Sequence, residues 1–297
     1  MRRLVPLVLV CAVLSTGAVD APEATLRRER RVDNAYRQGL ARFGGGWIFS
    51  VTNGLWRTSD DLRLEESNRA AIPDDLRARG YNHIGDVDVA GTYLYAPLEQ
   101  PDVERNEQVT ARFNAKSLEF VDAVTLKQHE NAFVAVDARS GTAYSMDRSG
   151  GAELLRYDLG GLRWRPLPPL PLDRRVENVQ GADLGDGFAY LSTSDPRNTL
   201  YRVDLGSGEV IELGSARPAG GEGEGIDVTP LATGRIHTLT IDVDEVSVRL
   251  GDFSAPPPRR TGTAEQAIIA TTVAATLVAT IVIVVLTRRR GPRTTAQ

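Results

Sequence analysis

Short apolar runs broken by single polar residues fill the middle of the chain, at the two-residue period of a β-strand. One kind of run starts with a small residue and carries acids among its apolar positions, as in residues 85–89 (GDVDV). A glycine-containing turn and a second, more aromatic run follow it, as in residues 93–96 (YLYA). Gly and Asp suit tight hairpin turns, so the pattern predicts pairs of antiparallel strands.

This unit recurs along the chain at a spacing of 44 to 49 residues. Successive units begin at Gly39, Gly85, Ala132, Gly181 and Gly225. Each unit has room for four strands, which predicts an all-β fold: a β-propeller of about five four-stranded blades, with six as the other count. A ring of blades buries sheet faces that a single sheet would leave exposed. A β-sandwich with fortuitous spacing is the alternative.

The fifth unit is one strand short, because only 28 residues separate Gly225 from Phe253. We therefore expect a strand from the N-terminal side, within residues 22–36, to close the ring. Pro73 and Gly80 bracket a segment that predicts a short helix between blades.

The N-terminus has the three parts of a secretory signal peptide. Residues 1–3 (MRR) are basic, residues 4–14 are apolar, and small residues allow cleavage after Ala18 or Ala21. An uncleaved anchor is the alternative. Residues 27–31 (RRERR) are either a solvated charge run or a processing site ending at Arg31.

Residues 267–287 form an uncharged run of 21 residues that is rich in Val, Ile, Ala and Thr. As a helix it would be about 31 Å long, which matches the hydrocarbon core of a bilayer. Arg288, Arg289, Arg290 and Arg293 follow directly and place the C-terminus in the cytoplasm. Small residues recur at a four-residue spacing in this run, so a transmembrane dimer is a further hypothesis.

These segments predict a single-pass type I protein of the cell membrane with its N-terminal domain outside. The predicted organisation is a signal peptide (1–21), a basic N-terminal segment (22–36), a β-propeller-like ectodomain (37–253), a Pro-rich stalk (254–266), a transmembrane helix (267–287) and a cytoplasmic tail (288–297).

Composition narrows the chemistry of the ectodomain. The chain is 41% hydrophobic and 25% charged, which is typical of globular domains with a packed core. Its formal net charge of −4 argues against a nucleic-acid partner. The single cysteine, Cys11, lies in the predicted signal peptide, so we expect neither disulfide nor thiolate chemistry in the mature ectodomain.

Six segments resemble a family of uncharacterised, exported propeller-like proteins. They are residues 38–39 (QG), 82–86 (NHIGD), 95–99 (YAPLE), 134–137 (VAVD), 179–181 (VQG) and 222–226 (EGEGI). The resemblance covers residues 38–241; it implies a propeller fold and brings no established activity. More distantly, the pattern is similar to gluconolactonase-type calcium propellers, whose ligands are Glu, Asn and Asp residues at the channel mouth. The Pro-Trp pair expected after His129 is replaced by Glu130 and Asn131.

Polar residues stand at or just before the inner strand of every unit. Propeller symmetry brings equivalent positions together at one mouth of the central channel, which predicts a ligand site there. The candidate site residues are Gln38, Asn82, His83, Asp86, Gln180 and Glu224. Convergent oxygens also suit Ca²⁺, with Glu224 and Asn82 as candidate ligands. The structural alternative is that Asp86, Asp88, Asp183 and Asp227 hydrogen-bond neighbouring blades.

Two functions fit this site. The first is a membrane-tethered, non-catalytic binding module whose propeller recognises a ligand, a protein or a glycan on its exposed face. The second is a Ca²⁺-dependent hydrolase acting on a small lactone or ester at the channel mouth. The sequence discloses no catalytic residues, and convergence of Glu224, Asn82 and Asn178 or Gln180 would favour the enzyme.

Overall fold

The computed structural model of the protein describes residues 23–160, 164–216, 221–242 and 247–255. The predicted signal peptide, transmembrane helix and cytoplasmic tail lie outside the described residues, as does the predicted stalk from residue 256 onward. Among the described residues, no helix has the length and apolar character needed to cross a membrane.

The described chain consists mainly of short β-strands. In chain order they are β1 (Thr25–Val32), β2 (Leu40–Phe43), β3 (Gly46–Val51), β4 (Gly54–Thr58), β5 (Leu64–Asn68), β6 (His83–Ile84), β7 (Asp88–Ala90), β8 (Tyr93–Glu99), β9 (Gln108–Asn114), β10 (Phe120–Leu126), β11 (Ala135–Asp137), β12 (Thr142–Ser145), β13 (Gly151–Asp158), β14 (Arg165–Val176), β15 (Val179–Gly185), β16 (Phe188–Thr193), β17 (Thr199–Asp204), β18 (Val210–Ser215), β19 (Glu222–Asp227), β20 (Ile236–Asp242) and β21 (Ser247–Ser254).

These strands form five antiparallel sheets, which we number as blades. Blade 1 is β2–β5, blade 2 is β6–β10, blade 3 is β11–β14, blade 4 is β15–β18, and blade 5 is β19, β20, β21 and β1. In blade 2 the inner strand is split, because β6 and β7 both pair with β8 and residues 85–87 lie between them. The predicted propeller of five blades is confirmed.

The inner strands form a closed ring. Each of β2, β7, β11, β15 and β19 packs against the next, and β19 packs against β2. The sandwich alternative is therefore wrong, since the sheets surround an axis and do not lie in two stacked layers.

The ring is closed by the N-terminal strand that the short fifth unit predicts. β1 pairs antiparallel with β21, from Thr25 opposite Ser254 to Val32 opposite Val248. Blade 5 thus combines strands from both ends of the described chain, and its sheet includes residues ahead of the predicted domain start at 37.

Five buried apolar clusters lie between the blades, one at each interface of neighbouring blades. The second strand of a blade is covered on both faces, so its burial does not alternate; β16 and β20 are buried at every position, including their polar residues. The predicted short helix is present as α1 (Asp74–Ala78), which follows Pro73 and places Leu76 in the cluster between blades 1 and 2.

Candidate functional site

The carboxylate of Asp86 fills the axis of the ring. It leaves blade 2 at the split inner strand and is 1% exposed. Its Oδ1 accepts the Leu40 N–H of blade 1 (3.1 Å), and its Oδ2 accepts the N–H groups of Ala182 in blade 4 (3.1 Å) and Ile226 in blade 5 (3.2 Å). Its own N–H donates to the Ala132 carbonyl ahead of blade 3 (2.8 Å). One residue therefore connects all five blades.

The glycines that begin three of the units make room for this carboxylate. A Cβ atom on Gly39, Gly181 or Gly225 would lie 2.8, 2.5 or 2.5 Å from an Asp86 carboxylate oxygen. Such distances are too short for any side chain. These three glycines thus make room for the axial aspartate as well as for the close approach of neighbouring inner strands.

Burial raises the pKa of Asp86 well above its usual range, and the nearby charge of Asp88 adds to the shift. The N–H donors of Ile226, Leu40 and Ala182 act in the opposite direction, because they stabilise the carboxylate.

A cavity of about 240 Å³ lies above Asp86 at one mouth of the ring, and we call it the axial cavity. Its lining residues are Arg37, Gln38, Thr52, His83, Gly85, Asp86, Glu99, Ala132, Arg148, Gln180, Glu222, Glu224 and Ile241. Five of the six candidate site residues are among them. The sixth, Asn82, is exposed and does not line the cavity.

Two further polar residues from the inner-strand starts also lie elsewhere. Asn178 is exposed and does not line the cavity. Asn131 is buried in a structural network: its side chain donates to the Val109 carbonyl (2.9 Å) and accepts from Gln128 (3.0 Å) and Ser145 (3.1 Å).

Sequence reasoning missed Arg37, Thr52, Glu99 and Arg148. The register of the predicted hairpins could have identified Glu99 and Thr52 as site residues. In an antiparallel pair the end of the second strand lies beside the start of the first, and the register indeed places Glu99 opposite His83. Thr52 follows the end of β3 in the same way. Arg148 lies in the connection between β12 and β13, where no repeat pattern marks it.

Acidic groups occupy the deep part of the axial cavity. Glu224 is 5% exposed, and burial raises its pKa well above the usual range, reinforced by the charge of Glu222. A side-chain hydrogen bond with Gln38 and the charge of Arg37 oppose this shift. Burial also raises the pKa of Glu99, whose Oε1 accepts the Asn131 N–H at 2.8 Å.

The basic groups of the axial cavity are a neutral histidine and two exposed arginines. Burial lowers the pKa of His83, the charge of Arg148 lowers it further, and Glu222 opposes the shift. The imidazole is therefore largely neutral at pH 7. Arg37 and Arg148 are exposed at the rim, where Arg148 forms an ion pair with Glu130 at 3.5 Å.

The opposite mouth is built from three inner-strand aspartates. The Oδ2 atoms of Asp88, Asp183 and Asp227 accept the N–H groups of Val136 (2.6 Å), Val228 (2.7 Å) and Arg42 (2.7 Å), each in the next blade around the ring. The structural alternative for the aspartates is thereby confirmed. Burial raises the pKa of Asp88 to about 7; the Val136 N–H opposes the shift and Asp227 reinforces it.

Within the part of the chain that the structure describes, no group of three or more His, Cys, Asp or Glu side chains is arranged to hold a metal ion. Of the two candidate Ca²⁺ ligands, Glu224 lines the axial cavity and Asn82 does not.

No protein-family model matches the chain. No curated protein sequence matches it either. Among solved structures, it is similar to hydrazine synthase of Kuenenia stuttgartiensis, with a TM-score of 0.42, 10% sequence identity, and coverage of 77% of this chain and 68% of that one. At that level the likeness supports no argument about function. The resemblances to exported propeller-like proteins and to gluconolactonase-type propellers remain hypotheses.

Proposed function

We propose that the protein is a membrane-tethered extracellular binding module that takes a small polar ligand in the axial cavity. One observation carries the proposal: every blade contributes a polar side chain to this cavity. Gln38 comes from blade 1, His83 from blade 2, Arg148 from blade 3, Gln180 from blade 4 and Glu224 from blade 5. Convergent polar groups in a concave site are the usual marks of ligand recognition.

The dimensions of the cavity favour a small molecule over a protein or glycan as its occupant. At about 240 Å³ it is smaller than the pockets of ~300–1,000 Å³ that take drug-sized ligands. The Ca²⁺-dependent hydrolase has less support, because Asn82 and Asn178 lie outside the cavity that Gln180 and Glu224 line.

A ligand screen tests the binding function. The full-length protein in detergent is melted in the presence of sugars, polyols, amino acids, amines and carboxylates, one class at a time. A ligand at 100 times its Kd should stabilise the fold by about 2.7 kcal/mol and raise Tm measurably. Arg148→Ala should abolish the shift, whereas Arg139→Ala, an exposed arginine of the same blade outside the cavity, should leave it intact. A screen without any shift, or a shift that survives Arg148→Ala, would refute the proposal.

The extracellular tether is supported by the basic, apolar and small-residue pattern of residues 1–21 and by the uncharged run 267–287 with its arginine flank. Protease added to intact cells should remove the propeller, while a fluorescent protein fused after Gln297 should fluoresce and resist digestion. A protected propeller or a digested fusion would contradict this orientation.

A further inference from the structure

We propose that the ligand of the axial cavity is a small zwitterion of the amino-acid class, with its ammonium group at the buried acidic floor and its carboxylate at the arginine rim. The proposal rests on the proposed function and deepens it. It depends on the order in which charges are arranged between the axis and the solvent.

The floor of the cavity is acidic and comes from blades 2 and 5. Asp86 is 1% exposed and Glu224 is 5% exposed, and Glu99 of blade 2 is half-buried beside them in the lining. Once ionised, a carboxylate this far from water interacts more strongly with a ligand charge than an exposed one does, because the local dielectric constant is lower.

Among the residues that the structure describes, Glu224 has no cation in direct contact with its buried carboxylate. Its hydrogen bond goes to the neutral Gln38 amide, and the nearby Arg37 is exposed at the rim. A buried carboxylate is costly without a close cation or several donors. A ligand ammonium would supply both a charge and three N–H donors, so binding would stabilise the ionised form of Glu224.

The rim carries the opposite sign. Arg37 and Arg148 lie at the solvent end of the cavity, and the side chain of Arg148 is 54% exposed. Its ion pair with Glu130 at 3.5 Å leaves further guanidinium N–H groups for a ligand carboxylate. A molecule that joins an ammonium to a carboxylate through one or two carbons matches this gradient, whereas a simple anion would meet the acidic floor.

Calorimetric titration of the full-length protein in detergent tests the inference with four probes of similar size: L-alanine, ethylamine, propionate and 1,2-propanediol. We expect L-alanine to bind best, ethylamine more weakly, and the other two not measurably. Glu224→Gln should weaken L-alanine binding at least tenfold. Glu153→Gln, an exposed acid of blade 3 outside the cavity, should not change it. Melting curves show whether each variant folds.

The pH dependence separates the charge of Glu224 from its shape. The charged or polar groups that face it are Glu222, Arg37, Gln38 and Asp86, and burial keeps its pKa high. Because the ammonium prefers the carboxylate over the acid, L-alanine affinity should rise as the pH rises through the raised pKa of Glu224, and Glu224→Gln should remove most of that rise.

The outcomes distinguish this inference from the proposed function. Tighter binding of propionate or 1,2-propanediol than of L-alanine would overturn the zwitterion and leave a binding module. A flat pH profile in the unmodified protein would also overturn it. If none of the four probes bound, the zwitterion would be wrong, and the broader screen would decide whether the module binds small ligands at all.

Discussion

At the residue scale, Asp86 explains features of the sequence that are far from it. Its carboxylate needs N–H donors from blades 1, 4 and 5, and it needs space beside them. The chain provides the space by placing a glycine just before β2 and inside β15 and β19. These glycines are required by close packing against the Asp86 carboxylate and against neighbouring backbone and serine atoms, and their backbone dihedral angles do not require glycine.

Replacing Gly225 tests this packing directly. In Gly225→Ala the new methyl group would lie 2.5 Å from Asp86 Oδ1 and 2.7 Å from the Gly39 Cα atom, so part of the axis must shift. Overpacking of this kind costs about 1–3 kcal/mol, and we expect Tm to fall by roughly 3–10 °C. Gly151→Ala is the control, because the atoms nearest to its new methyl group, in Glu153 of the same strand, are 3.7 Å away. Equal melting temperatures for the two variants would contradict the role of the axis.

At the element scale, β1 is the strand that turns an open array of blades into a ring. It covers β21 along its length, and Val32 and Tyr36 are buried in the cluster between blades 5 and 1. Without it, β21 becomes an exposed edge and that cluster loses one side.

Truncation tests the closure. Removal of residues 23–36 downstream of the signal peptide should abolish the cooperative unfolding transition of the propeller, since blade 5 loses a whole strand. Removal of residues 256–297 is the control, and we expect it to leave the melting curve of the released domain unchanged. An N-terminal truncation that still melted like the intact protein would mean that β1 is dispensable and that the ring closes through β19 and β2 alone.

At the scale of the whole molecule, the sequence predicted what depends on the repeat. The spacing of the glycine-led segments predicts the blades, and the short fifth unit predicts a strand from residues 22–36. Five candidate residues line the axial cavity because equivalent positions meet at the axis. Asn82 lies outside it. Neighbouring residues of an extended chain face opposite sides, and the repeat spacing does not determine which of the two faces the cavity. Arg148 was not foreseen because it belongs to a connection outside the repeat.

The many buried acids give the whole molecule a characteristic dependence on pH. Burial raises the pKa values of Asp86, Asp88, Asp183, Glu99 and Glu224. Carboxyl groups of an unfolded chain titrate near pH ~4, so between that value and their folded pKa these five bind more protons in the folded state. Their contribution is then present at low pH and is lost as the pH rises through the folded values.

Asp252 contributes to stability with the opposite pH dependence. Burial opposes ionisation of Asp252, but its hydrogen bond and charge interaction with His237 outweigh burial and keep the pKa low. Its contribution is present above pH ~4 and is lost below it. The two effects together predict greatest stability near pH 5. Tm of the full-length protein should be several degrees higher at pH 5 than at pH 8 and should fall again at pH 3. A Tm that rose from pH 5 to pH 8 would show that the axial and interblade carboxyl groups are ionised in the folded ring at little cost.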